Sequence, residues 1–164
     1  FRNRYPIVKY GKKYRELVAI LDGYNIKSII VNTRFHLTSF VGVRYANKKK
    51  VPVYLIEHGS NYVTLNNKIL DFFANRYEDF LTLLLKKRVN GFYGVSDACS
   101  KWLSNFSIKA SGTWYNSINY IDEREKQKHS GVNMLYAGRI IKQKGVYNIL
   151  VSFDKLLRKY KNIN

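Results

Sequence analysis

The sequence predicts an α/β fold with a Rossmann-like, mostly parallel sheet and flanking helices. Short apolar runs alternate with longer amphipathic stretches, and this alternation is typical of βαβ units. The run at 53–56 lies between Pro52 and Gly59, which bound a segment that reads as a buried parallel strand. The predicted strands fall at 28–31, 53–56, 92–95, 112–115 and 133–137.

Two amphipathic segments supply the predicted helices of the first half. A short helix at 10–21 precedes the first strand, and a long helix at 69–88 separates the second strand from the third. Glu78 and Asp79 are adjacent on the long helix, so their side chains point in different directions and are predicted to be surface charge. Its predicted apolar stripe is Ile69, Leu70, Phe73, Tyr77, Phe80, Leu81 and Leu84.

Two further helices follow the later strands. Ser96 or Asp97 is suited to cap a helix that begins near Ala98, with Cys99 on its inner or half-buried face. The last helix begins at Gly145 and extends to about residue 160, because apolar residues recur there at helical spacing.

Composition bounds the class of protein. Of 164 residues, 46% are hydrophobic and 15% aromatic, which indicates a globular chain with a real core. No uninterrupted apolar run is long enough for a transmembrane helix. A single cysteine excludes an internal disulfide and a thiolate metal site. These features favour the cytoplasm.

The charge balance predicts an anionic partner. The chain carries 29 Lys and Arg against 11 Asp and Glu, a net charge of +18. The surplus is explained equally by docking on an anionic membrane surface or by a compositional bias of the genome. The cations predicted to face lipid are Arg2, Arg4, Lys9, Lys12, Lys13, Lys48, Lys49 and Lys50.

The segment NMLYAGRIIKQKGVYNIL indicates a class of ligand. An apolar run stops at Gly138 and Arg139, a basic turn with Lys142 and Lys144 follows, and Gly145 opens the last helix. Such a turn directs free backbone N–H groups and positive charge at one point, which suits a phosphate or diphosphate. A solvated turn whose lysines face water is the alternative.

The string AGRIIKQKG resembles the motif that opens the second domain of family 4 glycosyltransferases, which have the two-domain GT-B architecture. The resemblance implies that Arg139 and Lys144 bind the diphosphate of a nucleotide-sugar donor. It also implies that Gly138 and Gly145 allow close approach of the backbone to that ligand.

Three stretches upstream of this motif also resemble the family, and they occur along the chain in the same order as in the family. VPVYLIEHGS resembles its strand-His-Gly loop, which implies that His58 contacts substrate or handles a proton and that Gly59 lies at the substrate site. NGFYGVSDACSKWLSNF resembles the family's segment in which a strand ends in a Val-Ser pair before a helix. Capping of that helix explains Ser96 better than a role in ligand binding does. GTWYNSIN keeps Asn116 and Ile118 of the family's interdomain turn, which implies that Asn116 binds substrate. It departs from that turn at Tyr115, Ser117 and Asn119. His36 and His129 lack such context and are predicted to be structural or exposed.

The resemblance also predicts the domain organisation. Residues 1–115 are expected to belong to the acceptor-side domain, 116–131 to a linker, and 132–164 to the start of the donor-binding domain. The chain is therefore expected to be a fragment of a larger enzyme, cut at both ends, with an incomplete GT-B fold and no activity alone. The paired-glutamate motif that holds the donor sugar would follow Asn164.

The resemblance implies a retaining glycosyltransferase that uses a UDP- or GDP-linked donor, without a cofactor or an essential metal. The implied acceptor is a glycan or a lipid-linked molecule, as in bacterial polysaccharide biosynthesis at the inner face of the membrane. A basic nucleic-acid-binding module is the main alternative, because basic and aromatic residues interleave, but no nucleic-acid-binding motif is present and this partner is disfavoured. A non-catalytic relative with the same fold is the other alternative.

Overall fold

We describe a computed structural model in which residues 11–119 and 132–160 are placed. The chain divides into two compact units, Phe1–Ile118 and Asn119–Asn164. Most of the predicted linker, residues 120–131, lies outside the described residues, as do His129, Arg2, Arg4 and Lys9. The domain boundaries at 115 and 131 stay predictions.

The first unit is built on a parallel sheet. Its four strands are β1 (Ile29–Asn32), β2 (Val53–Glu57), β3 (Gly91–Gly94) and β4 (Gly112–Thr113). They lie in the order β1-β2-β3-β4, and every neighbouring pair is parallel. Parallel neighbours require crossover connections, which the helices provide. The α/β, Rossmann-like fold predicted from the sequence is confirmed.

Helices flank this sheet. They are α1 (Lys12–Asp22), α2 (Leu37–Lys49), α3 (Lys68–Lys86) and α4 (Asp97–Trp102), and a 3₁₀ turn at Leu103–Phe106 extends α4. The second unit contains a 3₁₀ turn at Lys142–Lys144 and the helix α5 (Val146–Lys159). No helix in the described part of the chain is long and apolar enough to cross a membrane.

The core lies against one face of the sheet. The register aligns Leu55 of β2 with Val31 of β1 and with Phe92 of β3, so these side chains point to the same side. Val43 of α2 and Leu85 of α3 join this buried cluster. The packing of α2, α3 and α4 on this face fixes the carboxyl ends of the strands, where the candidate site lies.

Helix α2 was not predicted. Its buried residues are Ser39, Val41, Val43, Tyr45 and Ala46, which do not form a continuous large-apolar stripe at helical spacing. Gly42 lies in its interior, where a Cβ atom would be 2.7 Å from the Cγ1 atom of Val31. The glycine therefore allows close contact between α2 and β1. Because glycine has no side chain, it also interrupts the apolar periodicity by which a helix is predicted from a sequence.

The predicted strand at 133–137 is wrong. Residues 133–137 have no strand conformation, and Leu135 is 93% exposed. A strand is stabilised by pairing with a neighbour, and the described part of the second unit provides no further strand to which this segment can pair.

The predicted apolar stripe of the long helix is also largely wrong. Of its members only Leu81 is buried, whereas Ile69, Phe73 and Phe80 are exposed. The helix buries Glu78, Leu81, Thr82 and Leu85 instead. The face that carries Glu78 can be buried because an ion pair with Arg34 compensates the charge of its carboxylate. A hydrophobic pattern in the sequence does not reveal such an ion pair.

Candidate functional site

The candidate site of the first unit lies at the carboxyl edge of the sheet, where open α/β sheets bind ligands. His58 follows β2 directly and Asn32 is the last residue of the neighbouring β1. Both side chains are exposed, and the Nε2 atom of His58 lies 2.9 Å from the Oδ1 atom of Asn32. Because an amide oxygen only accepts, the neutral tautomer that forms this hydrogen bond carries its proton on Nε2 and its lone pair on Nδ1.

The Glu57 carboxylate holds the backbone of the His58 loop. Glu57 is fully buried, and its Oε1 atom accepts from the backbone N–H groups of His58 at 3.0 Å and Gly59 at 2.9 Å. Its Oε2 atom accepts from the guanidinium of Arg34 at 3.0 Å. Charge-assisted hydrogen bonds of this kind are about twice as strong as neutral ones. These hydrogen bonds therefore fix the backbone conformation with which the chain leaves the sheet at His58.

Arg34 connects this carboxylate to a second one. It is fully buried and lies between Glu57 and Glu78, whose Oε2 atom accepts from its Nη2 atom at 2.7 Å. Its guanidinium also lies 4.3 Å from the centroid of the Phe106 ring. One cation therefore compensates two buried carboxylates. Glu78, predicted to be surface charge, is instead part of the interior.

The protonation of Glu78 reflects this imbalance. Burial raises the pKa of Glu78 above its ordinary value, and the hydrogen bond from the Val63 N–H group and the charge of Arg34 oppose that rise. The negative charge of Glu57 acts in the same direction as burial. Arg34 is thus the positive charge that opposes protonation of Glu78.

The loop that follows His58 is held by carboxylates of α3. The Oε1 atom of Glu78 accepts from the Val63 N–H group at 3.0 Å, and Asp79 accepts from the Tyr62 hydroxyl at 2.7 Å. Asp71 accepts from the Leu65 N–H group at 2.6 Å. Helix α3 therefore positions the loop as well as covering the sheet.

His36 lies next to this site. It precedes α2 and is half-buried. Partial burial is the main cause that lowers the pKa of His36, the charge of His58 adds to this effect, and the carboxylate of Glu57 opposes it. His36 is therefore predominantly neutral near pH 7.

Polar groups continue along the edge at the ends of β3 and β4. Ser96 caps α4 by accepting from the Cys99 N–H group at 3.3 Å, which confirms the predicted cap, and Cys99 is buried as predicted. Asp97 accepts from Thr113 at 2.9 Å and from the Tyr115 hydroxyl at 3.0 Å. Asn116, predicted to bind substrate, is exposed beyond β4. The strands that precede His58 and Asn116, β2 and β4, are separated by β3.

In the second unit, Gly138, Arg139, Lys144 and Gly145 lie in the segment that precedes α5. The backbone oxygen of Arg139 accepts from the Tyr136 hydroxyl and from the Ile141 N–H group, both at 3.0 Å. The Arg139 and Lys144 side chains are exposed. Gly145 has a φ of 66°, the left-handed conformation that glycine adopts most readily, and α5 begins there without a side-chain cap. The N–H groups of the first turn are thus not used by a capping side chain.

Metal-ligating residues are scattered in the described ranges 11–119 and 132–160. No group of three His, Cys, Asp or Glu side chains in those ranges is arranged to hold a metal ion. The side chains at the two turns are an imidazole, amides, and Arg and Lys cations.

Asn32, Arg34, Glu57 and Glu78 were not predicted as site residues. The alternation of β2 contained a usable signal, because Glu57 is in phase with the buried Val53 and Leu55. Glu78 is likewise in helical phase with Leu81 and Leu85. Two acidic residues in phase with core positions indicate a buried cation, although neither pattern identifies Arg34 as that cation.

Comparisons with known proteins give a distant likeness to a glycosyltransferase. No protein-family model matches the chain, and no solved structure matches it. The chain is similar to an uncharacterized glycosyltransferase of Methanocaldococcus jannaschii, with 27% identity over 166 residues. The alignment covers 93% of this chain and 42% of that protein, so the chain spans less than half the length of the relative. This distant likeness supports a glycosyltransferase, while the family and the GT-B architecture stay predictions.

Proposed function

We propose that the protein is a retaining glycosyltransferase that moves a sugar from a nucleoside diphosphate donor to a glycan or lipid-linked acceptor. The observation that carries the proposal is the turn from Gly138 to Gly145. It combines two exposed cations, a left-handed glycine and the uncapped start of a 14-residue helix within a few residues. The distant likeness to a glycosyltransferase supports the same conclusion.

The chemical role of this turn follows from the charge that develops during transfer. When the bond between the sugar and the diphosphate breaks, the leaving diphosphate gains negative charge. Arg139, Lys144 and the N-terminus of α5 would stabilise that charge, and fixed dipoles and cations are effective because they need no reorganisation. Gly145 lets the backbone approach the phosphate oxygens closely.

His58 is proposed to contact the sugar or the acceptor at the carboxyl edge of the sheet. Its Nε2 proton is directed at Asn32, so the Nδ1 lone pair of the neutral ring is the group able to accept a hydrogen bond or a proton. Glu57 and Asn32 are positioning residues: one holds the backbone of His58, and the other holds its ring.

Calorimetric titration with UDP and GDP tests the donor proposal. The Arg139→Ala, Lys144→Ala double variant is expected to lose most of the affinity for whichever nucleotide binds. The Lys155→Ala, Lys159→Ala variant removes the same charge from the later part of α5 and serves as the matched control. Equal losses in both variants would indicate non-specific attraction and contradict the proposal.

A single-stranded oligonucleotide titrated under the same conditions separates the alternative function. Tight, strongly salt-dependent binding of the oligonucleotide, with no binding of UDP or GDP, would favour a nucleic-acid-binding module. Selective binding of a nucleoside diphosphate, with weak oligonucleotide binding, is the expected result.

A further inference from the structure

Helix α3 has two opposite faces, and only the inner one is buried. The inner face carries Glu78, Leu81, Thr82 and Leu85. We define the α3 outer face as Ile69, Phe72, Phe73, Tyr77, Phe80 and Leu83, whose exposed fractions range from 44% to 71%. At 3.6 residues per turn these six side chains span an arc of about 140°, centred almost opposite the buried one.

An apolar outer face is unusual at this place in the fold. A helix packed on a sheet normally forms the outermost layer, and its outward side is polar. Four of the six side chains are aromatic, and each leaves roughly 100 Å² in solvent, so the patch amounts to about 600 Å². Contiguous apolar patches at or above this size usually mark an interaction site.

The charges around the α3 outer face identify the partner. Arg76 lies within the face, its guanidinium 5.9 Å from the centroid of the Phe72 ring and its Nη2 atom 2.8 Å from the Oδ2 atom of Asp79. Its side chain is nevertheless 62% exposed. Lys68 at the start of the helix is exposed, as are Lys87 and Arg88 just beyond its end. The whole chain carries a net charge of +18. An apolar helix face rich in Phe and flanked by cations is the pattern of a helix that lies in a membrane interface.

The geometry fits a helix lying parallel to a membrane surface. The inner face is fixed to the sheet through Glu78 and Arg34, so only the outer face is available to lipid. Long basic side chains such as those of Arg76 and Lys87 have flexible stems that can rest on apolar surface while the charge reaches phosphate groups. The aromatic residues of the outer face would lie at the boundary between head groups and acyl chains.

We propose that the α3 outer face docks the protein on an anionic lipid bilayer, with Arg76, Lys68, Lys87 and Arg88 at the level of the lipid phosphates. This surface is distinct from the basic segments around Lys12 and Lys48–Lys50. The proposal does not depend on sugar transfer. A protein without transferase activity would dock in the same way.

Co-sedimentation with lipid vesicles tests the proposal. The protein is expected to bind vesicles of phosphatidylcholine mixed with phosphatidylglycerol and to bind pure phosphatidylcholine much more weakly. The Phe73→Ser, Phe80→Ser variant should lose about tenfold or more in partitioning, since two exposed aromatic side chains are removed from the lipid contact. The matched control is Ile20→Ser, Tyr24→Ser, which changes two side chains that are 60% and 69% exposed and lie outside α3.

A fluorescent variant reports the contact directly and does not require a loss of binding. Trp102 and Trp114 already fluoresce in the parent chain. Relative to the parent, Tyr77→Trp is expected to add a signal that brominated acyl chains in anionic vesicles quench, whereas the signal added by Tyr24→Trp is not quenched. Unquenched Trp at position 77, or equal loss of partitioning in the two Ser variants, would overturn the proposal. So would light scattering that shows a dimer in free solution which the Phe73→Ser, Phe80→Ser variant disrupts, because the α3 outer face would then be covered by a second copy.

Discussion

Replacement of Arg34 by Met tests whether the buried ion pairs organise the site. The substitution keeps much of the side-chain volume but leaves the fully buried Glu57 and the nearly buried Glu78 without a cation. Removing one partner of a buried ion pair costs about 3–5 kcal/mol, and here one guanidinium serves two carboxylates. For a chain of this size we expect the midpoint of thermal unfolding to fall by roughly 6–20 °C.

The destabilisation should depend on pH in a defined direction. Burial already raises the pKa of Glu78, and loss of the Arg34 charge removes an opposing effect. The folded variant then binds a proton at a pH at which the unfolded chain has released it. Stability of the variant relative to the parent should therefore recover as the pH falls through the folded-state pKa of Glu78 and should be lost as the pH rises above that pKa.

Urea unfolding followed by circular dichroism at several pH values measures both effects. Arg44→Met is the matched control, because Arg44 is exposed on α2 and its replacement should change the unfolding free energy by less than about 0.5 kcal/mol. Adding Glu78→Gln to the Arg34 variant should restore part of the loss, with a coupling energy of about 1–3 kcal/mol. A pH-independent loss below about 1 kcal/mol for Arg34→Met would refute the reasoning.

Three smaller perturbations test other contacts. Asn32→Ala should release the ring of His58, so that long-range ¹⁵N spectra change from the Nε2-protonated form to a mixture of tautomers; an unchanged spectrum would show that Asn32 does not hold the ring. Gly94→Ala should destabilise the protein by about 1–3 kcal/mol, because its Cβ atom would overlap the backbone of α4, whereas Gly112→Ala makes only ordinary contacts at 3.6 Å and should be nearly neutral. Ser96→Ala should cost about 0.5–2 kcal/mol through loss of the α4 cap, and a value near zero in urea unfolding would contradict that role.

The sheet could be predicted because its signal is local. Val53 and Leu55 alternate with half-buried residues between turn formers, and the strand observed at Val53–Glu57 differs from the prediction by one residue. Parallel pairing then follows from the helices between strands. By contrast, residues 133–137 have the composition of a strand but no strand to pair with in the described part of the second unit. Composition alone does not create a strand.

The ion-pair network could not be predicted, because it depends on contacts between distant segments. Arg34 and Glu78 are 44 positions apart, and hydrophobic periodicity indicates the wrong face of α3. The outer face of that helix carries more large apolar side chains than the inner face. The expectation that apolar residues face the core therefore assigns the wrong face of the helix to the interior. The orientation of α3 is determined by the charge on Arg34, which must be satisfied inside the protein.

The roles of His58 and of the turn at Gly138–Gly145 came from resemblance and local pattern. The structure places His58 at the carboxyl edge of the sheet and Gly145 in a left-handed conformation. Substrate binding by these residues, and by Gly59 and Asn116, stays a prediction.

Mapping the binding of UDP and GDP on the ¹⁵N-labelled chain by NMR tests the central claim most directly. We predict that the backbone amide signals of Arg139, Lys144, Gly145 and the first turn of α5 shift in a saturable way with one of these nucleotides. The corresponding nucleoside, which lacks the diphosphate, should leave these signals in place. Shifts spread evenly over the exposed lysines of the chain, or equal shifts with the nucleoside, would contradict the account.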